Sequence, residues 1–597
     1  MALLKKVLTL FLTISLTTIS AAELEREFSP SSSEEIQALS SQSDYLIGGI
    51  ISPLTGLPVL SKEDLIAKGA ETISLTRTYV SPSFPKLYDT PAIENFLLNE
   101  YLLFNYRGWT YFPQTKLQVS FANKSNPLVH FINPNGSIID LAFRGNAKAP
   151  CVQDSEYGIS NFSGETPGGI YDIRNIRVNE QDNWNLVTIS SPDGTIYHYK
   201  KVSQGISLFN YGLEKQILPN GKVLKYSYNA NNVLAKVESF DPSMTFVYAT
   251  IEANTTDGKT IDSYQTQNGL KALLKKERRK FDSKAKIGKK IAHLKGDAPS
   301  LLSGVNGPKY NNEVINYSDR FLLEAYKGRD ANFSLEYGIG GLIDFNSALI
   351  KVKAIFDGSQ KKLYTIKYEA PKAGEKPGRT IVTHVDKSKI LYFYNKNLLL
   401  EKIQTLDQND KLLKEKIFTW NNKNYLSAVE LKGHYKKSFL YDNFGNPLQE
   451  VIESNFSGKG SDLLQINRSF SQDGKNLLLS EEKEGTKVSF HYLTNTNLPI
   501  SKITSRDGKE VFKEYWNYDE YNNLIEEKSE DGAFTTIKRY TLRQEAPNLH
   551  LPEWIEEIVI ENSQEKLLKR IHLFYDEYGN VSKEETFDAE GNFGFVK

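Results

Sequence analysis

Hydrophobic and polar positions alternate along most of the chain in short runs that are separated by polar turns. After Asp507-Gly508, for example, one set of alternate positions is Val511, Lys513, Tyr515 and Asn517, and the other is Phe512, Glu514, Trp516 and Tyr518. A period of two predicts β-strands, and aromatic residues in both sets indicate that neither face is purely a solvent face. Long amphipathic helical patterns are hard to find. The pattern therefore predicts an all-β protein built as a long antiparallel meander.

The strands belong to a repeating unit. In each unit a strand ends in an aromatic residue, a short turn carries Asp, Asn or Gly, and a second strand opens with Leu or Val. The clearest units begin at Tyr441-Asp442, Tyr518-Asp519 and Tyr575-Asp576. Counting weaker units, the aromatic residue recurs at 394, 420, 441, 470, 492, 518 and 540. These spacings hold two strands of about eight residues and two turns.

A second turn signal falls between these units. Gly preceded by Asn or Asp supplies the positive φ angles of a type I′ hairpin turn, so each such dipeptide predicts a hairpin. The dipeptides are Asn135-Gly136, Asp193-Gly194, Asn220-Gly221, Asp257-Gly258, Asp473-Gly474, Asp507-Gly508 and Asp531-Gly532.

The N-terminus has the pattern of a secretory signal peptide. Lys5 and Lys6 precede an apolar run, and Ser20, Ala21 and Ala22 are the small residues that cleavage requires. We expect cleavage after Ala22, with an uncleaved anchor as the alternative. Residues 23–45 are rich in Ser and predict a disordered linker. The expected location is secreted, periplasmic or at the cell surface.

Composition and charge narrow the protein class. The 597 residues include 39% hydrophobic and 12% aromatic side chains, which excludes collagen-like and disordered chains. The single cysteine, Cys151, excludes an internal disulfide; a buried inert thiol is favoured there over a nucleophile. Because 73 basic residues balance 73 acidic ones, nothing global attracts nucleic acid or anionic lipid, and we expect no specific nucleic-acid partner.

One segment, 271–295, is strongly basic. It could bind an anionic glycan, lipid headgroups or nucleic acid, but a solvated insertion in a long hairpin is favoured. It is also the segment whose Ile287, Ile291 and Leu294 fit helical spacing. The candidate anion-binding residues are Lys275, Lys276, Arg278, Arg279, Lys280, Lys289 and Lys290.

Catalytic chemistry is not indicated. The eight histidines have no metal-ligand spacing, and no nucleophile elbow or phosphate-binding glycine loop is present. We therefore assign no catalytic, cofactor-binding or metal-binding residue and expect no cofactor. Carboxylates are too plentiful to exclude a glycosidase pair, and tyrosine rings can stack on sugars. Cross-strand packing is the favoured explanation for the tyrosines.

These units resemble the YD repeats of the RHS and teneurin-like family, in which Tyr-Asp is followed by a Gly-containing turn and a hydrophobic strand. The residues that carry the resemblance are Tyr441, Asp442 and Gly445, then Tyr518 and Asp519, where Asn522 replaces the Gly, and Tyr575, Asp576 and Gly579. Near the N-terminus, Ser52-Pro53-Leu54-Thr55-Gly56-Leu57 resembles the Asp-Pro-x-Thr-Gly opening, and Arg77-Thr78-Tyr79 resembles the leading Arg-x-Tyr strand.

The resemblance implies a spiral β-shell, or cage, around a cavity. In toxin members of the family the shell encloses a C-terminal effector that follows an Asp-Pro-x-Gly-Leu segment, which this sequence lacks. We divide the chain into an N-terminal RHS-like region (46–230), a β-repeat region with the basic insertion (231–390) and a YD-repeat shell (391–597).

We expect a non-enzymatic encapsulating or surface scaffold, part of a toxin-delivery or contact-dependent system. The alternatives are a carbohydrate-binding adhesin and a secreted glycosidase. The last residues, 593–597, read as a strand with apolar side chains, so we expect a partner chain or a second copy at that edge. No stretch after the signal peptide is long and apolar enough to span a membrane.

Overall fold

The computed structural model describes part of the chain. The described ranges are 46–53, 56–80, 109–112, 115–120, 128–132, 138–143, 157–163, 177–191, 193–204, 208–277, 280–287, 290–297, 301–308, 313–318, 322–329, 331–339, 350–369, 378–395, 399–422, 425–454, 462–532, 534–546 and 548–596. Within them the chain forms 42 strands and no helix, and neighbouring strands pair antiparallel. The all-β prediction is therefore confirmed, including for the segment with helical spacing. The predicted signal peptide, its cleavage site at Ala22, the linker and Cys151 lie outside the described residues.

Two small sheets accompany two large ones. The first sheet contains β1 (Val59–Ala67), β2 (Ile73–Val80) and β3 (Trp109–Phe112). A separate hairpin contains β17 (Lys280–Ile287) and β18 (Lys290–Asp297), which pair only with each other among the described strands. This hairpin is inserted between two neighbouring strands of the second sheet.

The second sheet has fourteen strands. They are β4 (Lys116–Ser120), β5 (Leu128–Ile132), β6 (Ile138–Phe143), β7 (Tyr157–Ser163), β8 (Arg177–Gln181), β9 (Leu186–Ser190), β10 (Ile196–Gln204), β11 (Leu208–Ile217), β12 (Val223–Tyr228), β13 (Leu234–Phe240), β14 (Val247–Asn254), β15 (Ser263–Thr266), β16 (Lys271–Glu277) and β19 (Leu301–Asn306). The sheet forks at β11, because one end of this strand pairs with β4 and the other end with β12.

The third sheet has twenty-three strands in chain order. They are β20 (Val314–Tyr317), β21 (Leu323–Lys327), β22 (Asn332–Ile339), β23 (Ile350–Asp357), β24 (Lys362–Glu369), β25 (Gly378–His384), β26 (Lys389–Tyr394), β27 (Leu400–Leu406), β28 (Leu412–Trp420), β29 (Leu426–Leu431), β30 (Tyr435–Tyr441), β31 (Pro447–Ser454), β32 (Asp462–Phe470), β33 (Leu478–Lys483), β34 (Thr486–Tyr492), β35 (Pro499–Arg506), β36 (Lys509–Tyr518), β37 (Leu524–Glu530), β38 (Thr535–Leu542), β39 (Pro552–Glu561), β40 (Gln564–Tyr575), β41 (Val581–Asp588) and β42 (Phe593–Val596). This is the predicted meander. The sheets change between β19 and β20, whereas the predicted domain limits at 230 and 390 fall inside the second and third sheets; that domain division stays a prediction.

The core lies where the N-terminal residues pack against both large sheets. Buried side chains of the first sheet, such as Leu65, Leu75 and Trp109, join one hydrophobic cluster with residues of β11–β16 and of β20–β30. The opening motif contributes directly, because the Gly56 carbonyl accepts a hydrogen bond from the Val352 N–H at 2.9 Å. Gly56 has φ 68°, and a Cβ there would lie 2.7 Å from the Tyr368 ring, so glycine is required.

Of the six dipeptides within the described residues, the predicted turn type is correct at one and wrong at the other five. Asp507 and Gly508 both have positive φ, 51° and 77°, as a type I′ turn requires. At Asn220-Gly221 only the glycine does, with φ 86°. The reason is local. The Gly221 N–H donates to the Leu218 carbonyl, and the Asn220 side chain accepts from the Lys222 N–H, which together favour a longer turn. Asn135-Gly136 lies outside the described residues.

Candidate functional site: repeat turns, seam and buried charges

The YD residues build one recurring turn. At Asp442 one carboxylate oxygen accepts the backbone N–H groups of Phe444 and Asn446, each at 2.8 Å, and the other accepts the Asn446 side-chain amide at 2.9 Å. The same set of bonds forms at Asp519 and Asp576. Accepting several N–H bonds stabilises the charged carboxylate, and the pKa of Asp576 is lowered, because these bonds outweigh its desolvation.

The fourth residue of each turn has a positive φ. Gly445 and Gly579 have φ 89° and 78°, and Asn522, which replaces the Gly of the motif, has φ 60°. Asn tolerates this region better than other residues with a Cβ. The departure from the motif at Asn522 therefore leaves the turn intact.

The aromatic residue of each unit ends a strand at a β-bulge and reaches back to the preceding unit. The Tyr441 hydroxyl donates to the Leu426 carbonyl at 2.6 Å, and Tyr518 and Tyr575 donate to the Pro499 and Pro552 carbonyls at 3.0 and 2.7 Å. In all three bonds the acceptor is the first residue of its strand, in β29, β35 and β39 respectively. Successive turns are thus tied together along one rim of the third sheet.

These bonds favour cross-strand packing as the explanation for the tyrosines. Burial raises the pKa of Tyr575 to about 12, and burial also raises the pKa of Tyr441. A half-buried ring with a bonded hydroxyl packs within the sheet, and this favours packing over sugar stacking for the repeat tyrosines.

A contact between their rims joins the two large sheets. We call it the seam; it consists of turns 218–222 and 241–248 of the second sheet and turns 493–498, 519–523 and 548–550 of the third. The Asn522 amide donates to the Asn220 carbonyl at 2.8 Å, and the Asn497 N–H donates to the Pro219 carbonyl at 2.9 Å. A Cβ on Gly221 would lie 2.7 Å from the Asn522 amide nitrogen, so close approach requires glycine there.

His550 lies in the middle of the seam and is only 5% exposed. Its Nδ1 is 3.0 Å from the Tyr248 hydroxyl of the second sheet and 3.2 Å from the Asn523 amide nitrogen of the third. Because an amide nitrogen only donates, Nδ1 is the acceptor and carries no proton. The ring stacks on Tyr521 and meets Phe246 edge-on, with centroids 5.0 and 5.2 Å apart. Burial lowers the pKa of His550.

The turn between β1 and β2 anchors the first sheet beside the seam. The Lys222 ammonium donates to the Ala70 carbonyl at 2.7 Å, and the Ser239 hydroxyl donates to the Glu71 carbonyl at 2.7 Å. On the other side, a Cβ on Gly579 would lie 3.0 Å from the Lys68 Cβ. The first sheet thus contacts both large sheets at this point.

A buried charged cluster joins the first sheet to the start of the third. Arg77, Asp64 and Glu313 have side chains that are 0% exposed. The Arg77 Nε donates to Asp64 at 2.8 Å, and its Nη2 donates to Glu313 at 2.6 Å. The guanidinium carbon lies over the Trp109 ring, 4.9 Å from the ring centroid. Desolvation, which outweighs the nearby Arg77, raises the pKa of Asp64 to about 6. A β-bulge at Asp64 turns this side chain inward.

Sequence reasoning pointed to Arg77 only through the Arg-x-Tyr resemblance and missed its partners. The resemblance also marked Tyr79, which is fully buried and whose hydroxyl accepts the Leu323 N–H at 3.1 Å. Asp64 carries no clear signal, because its strand, β1, also contains Ser61, Lys62 and Glu63. Nothing in the sequence pairs Arg77 with Glu313, which lies 236 residues further along the chain.

The basic segment is only partly described. Lys275 and Lys276 lie in β16, and Lys280 and Lys290 open β17 and β18, whereas Arg278, Arg279 and Lys289 lie outside the described residues. The Lys276 ammonium pairs with Asp262 at 2.5 Å, which neutralises one cation. The anion-binding patch therefore stays a prediction.

The described residues show no group of three or more His, Cys, Asp or Glu side chains placed to hold a metal ion. Within the same ranges, no helix is long and apolar enough to cross a membrane.

No family model and no curated protein matches the sequence. Solved structures do match. A structure described as TcdB2-TccC3-TEV is 10% identical, with a TM-score of 0.28 over 78% of this chain and 27% of that chain. The Tc holotoxin pore of Photorhabdus luminescens is 8% identical, with a TM-score of 0.21 over 87% of this chain and 34% of that chain. The N-terminal domain of effector protein SpvB from Salmonella typhimurium strain LT2 is 12% identical, with a TM-score of 0.22 over 50% of this chain and 97% of that chain.

This chain spans about a quarter to a third of the length of the two Tc chains. With TM-scores below 0.5, these likenesses carry no argument about the fold or the function of this chain.

Proposed function

We propose that this protein is an exported β-shell of the RHS/YD-repeat type that acts as a non-enzymatic scaffold, enclosing or presenting another protein in a toxin-delivery or contact-dependent system. The observation that carries the proposal is the seam. A meander of twenty-three strands could extend as an open ribbon, but here its turns meet the turns of the second sheet, through the Asn522–Asn220 and Asn497–Pro219 hydrogen bonds. Contacts of this kind between the rims of two sheets favour a closed shell over an open ribbon.

The repeat turns support the same proposal. Asp442, Asp519 and Asp576 close equivalent turns, and the tyrosines before them tie each turn to the preceding one. These residues have structural partners within the sheet. That arrangement favours a rigid wall over a catalytic or sugar-binding surface. The adhesin and the glycosidase are the alternatives, and each has its own assay.

Small-angle scattering of the purified protein tests for enclosed volume. A solid globule of about 597 residues has a radius of gyration of about 25 Å. A hollow shell of the same mass is larger, with a pair-distance distribution shifted to long distances, which is the expected result. A distribution that fits a solid globule would contradict the proposal. Turnover of chromogenic glycosides would favour the glycosidase, and specific binding on a glycan array would favour the adhesin.

We also propose that a strand from a second copy or a separately encoded partner pairs with β42. Among the described strands β42 pairs only with β41. Its Phe593, Phe595 and Val596 are 55%, 51% and 51% exposed, and this segment lacks the charges that usually protect an edge strand. Light scattering and co-purification should show a stoichiometric partner, and Phe595→Lys should weaken the association. A stable wild-type monomer without a partner would contradict the proposal.

Export is tested separately. If the signal peptide is cleaved after Ala22, N-terminal sequencing of the exported protein reads from Glu23. Exported protein that still begins at Met1 would show that this part of the proposal is wrong.

A further inference from the structure

The seam joins the two large sheets without a shared strand ladder. Within each sheet, neighbouring strands share a ladder of backbone hydrogen bonds, such as the eight register pairs between β38 and β39. Across the seam, no described strand of the second sheet pairs with a strand of the third. The seam is held by turn contacts, among them the Asn522–Asn220 and Asn497–Pro219 bonds. A junction held by a few turn contacts can open locally without unfolding either sheet.

His550 is the titratable group at the centre of this junction. From the second sheet it faces Tyr248, Phe246, Asp241 and Lys222, and from the third it faces Asn523, Tyr521 and Asp519. The neutral ring suits these neighbours, because Nδ1 accepts from the amide of Asn523 and from the hydroxyl of Tyr248.

The two carboxylates near the ring are already engaged. Asp519 accepts the N–H groups of Tyr521 and Asn523, and Asp241 accepts the N–H groups of Ser243 and Phe246. They still favour an imidazolium through space, whereas Lys222 opposes it. Burial outweighs the carboxylates.

We propose that mild acidification opens the shell at the seam, because a proton on Nδ1 of His550 replaces an acceptor that bonds both sheets with a donor. This inference rests on the proposed function, since opening matters only if the shell encloses or presents something. The amide of Asn523 would then face another N–H group, and Tyr248 would have to turn its hydroxyl. Once the seam is open, the ring gains water as a partner for its second proton.

The direction of the pH effect follows from linkage. The pKa of His550 is lower in the closed shell than its ordinary value of 6.5. The open state therefore binds more protons in the interval below 6.5. The seam is fully stabilised above pH 6.5 and loses this contribution as the pH falls from 6.5 toward the lower pKa of the closed state.

Spin labels across the seam test this inference on the full chain. Thr245 and Glu520 are exposed on opposite sides of the seam. Spin labels on Thr245→Cys and Glu520→Cys, in a Cys151→Ser background, allow the distance between the two labels to be measured by electron paramagnetic resonance. We expect one short distance at pH 7.5 and at least a threefold larger long-distance population at pH 5.5. His550→Gln, which retains an acceptor but does not titrate in this range, should abolish the pH response.

Two other histidines serve as matched controls. His491 bonds Ser501 within the third sheet, and His198 lies in β10, where burial lowers its pKa. His491→Gln and His198→Gln should leave the pH response of the seam unchanged. A pH response that persists in His550→Gln, or no response in the wild type, would overturn the inference. Failure of the proposed function would appear differently, as scattering from a solid particle, whatever the seam distance does with pH.

Discussion

Replacing Arg77 by methionine removes the cation that bonds both Asp64 and Glu313 and leaves two carboxylates in a site that water does not reach. Breaking a buried ion pair from one side destabilises proteins by about 3–5 kcal/mol, because the remaining charge has no compensating partner. We expect a loss of this size at pH 7.5. Arg77→Lys keeps the charge but cannot reproduce the forked hydrogen bonds, so its loss should be smaller.

The loss in Arg77→Met should shrink as the pH is lowered. The pKa of Asp64 is already raised to about 6 by burial, and Arg77 is what holds it from rising further. Without Arg77 the folded variant takes up protons that the unfolded chain, with an ordinary Asp, does not. A raised folded-state pKa gives stability that is present at low pH and lost as the pH rises through that pKa. The variant should therefore be closer to the wild type at pH 5.5 than at pH 7.5.

Urea unfolding, followed by tryptophan fluorescence at both pH values, measures this effect. The control is the triple variant Asp64→Asn, Arg77→Met, Glu313→Gln, which removes every charge of the cluster. It should recover at least about 2 kcal/mol relative to Arg77→Met, because no buried charge is left unpaired. If Arg77→Met unfolds within about 1 kcal/mol of the wild type at pH 7.5, or the triple variant is no better, the cluster does not join the sheets as described.

Three further predictions concern the turns and the insertion. Gly508→Ala should lower the free energy of unfolding by about 1 kcal/mol through its positive φ alone, because a Cβ there meets nothing within 4 Å. Gly221→Ala should lower it by about 1 kcal/mol more, because its Cβ displaces the amide of Asn522, and equal losses in urea unfolding would argue against the seam. Asp442→Ala should destabilise by about 1–2 kcal/mol and Asp442→Asn by less, because Asn can still accept the turn N–H bonds; the same unfolding assay would refute this if both were neutral. Trypsin should cut the native protein first within 271–295, whose hairpin pairs only with itself among the described strands, and a digest that spares this segment would show that it is packed.

Much of the fold follows from local sequence. Tyr441, Tyr492 and Tyr518 each end a strand, as the repeat predicted, because strand length and the Asx turn are set within a few residues. The departure at Asn522 illustrates the limit of a motif. Sequence shows that Asn stands where Gly usually falls, but only the fold shows that its side chain bonds Asn220, 302 residues away.

Contacts between distant parts of the chain were not predictable for the same reason. The partners of Arg77 lie in β1 and just before β20, and His550 contacts Tyr248 only once the seam forms. Alternation and turn signals report which residues share a face of a strand. They carry no information on which rim meets which. The error at Asn220-Gly221 is local, since its turn is longer than the dipeptide alone indicates.

Electron cryo-microscopy of the purified protein tests the central claim most directly. The account predicts a hollow β-shell in which the rims of the second and third sheets meet, with the amide of Asn522 within hydrogen-bonding distance of the Asn220 carbonyl and His550 between Tyr248 and Asn523. A map in which these turns are separated by solvent, so that the third sheet forms an open ribbon, would contradict it.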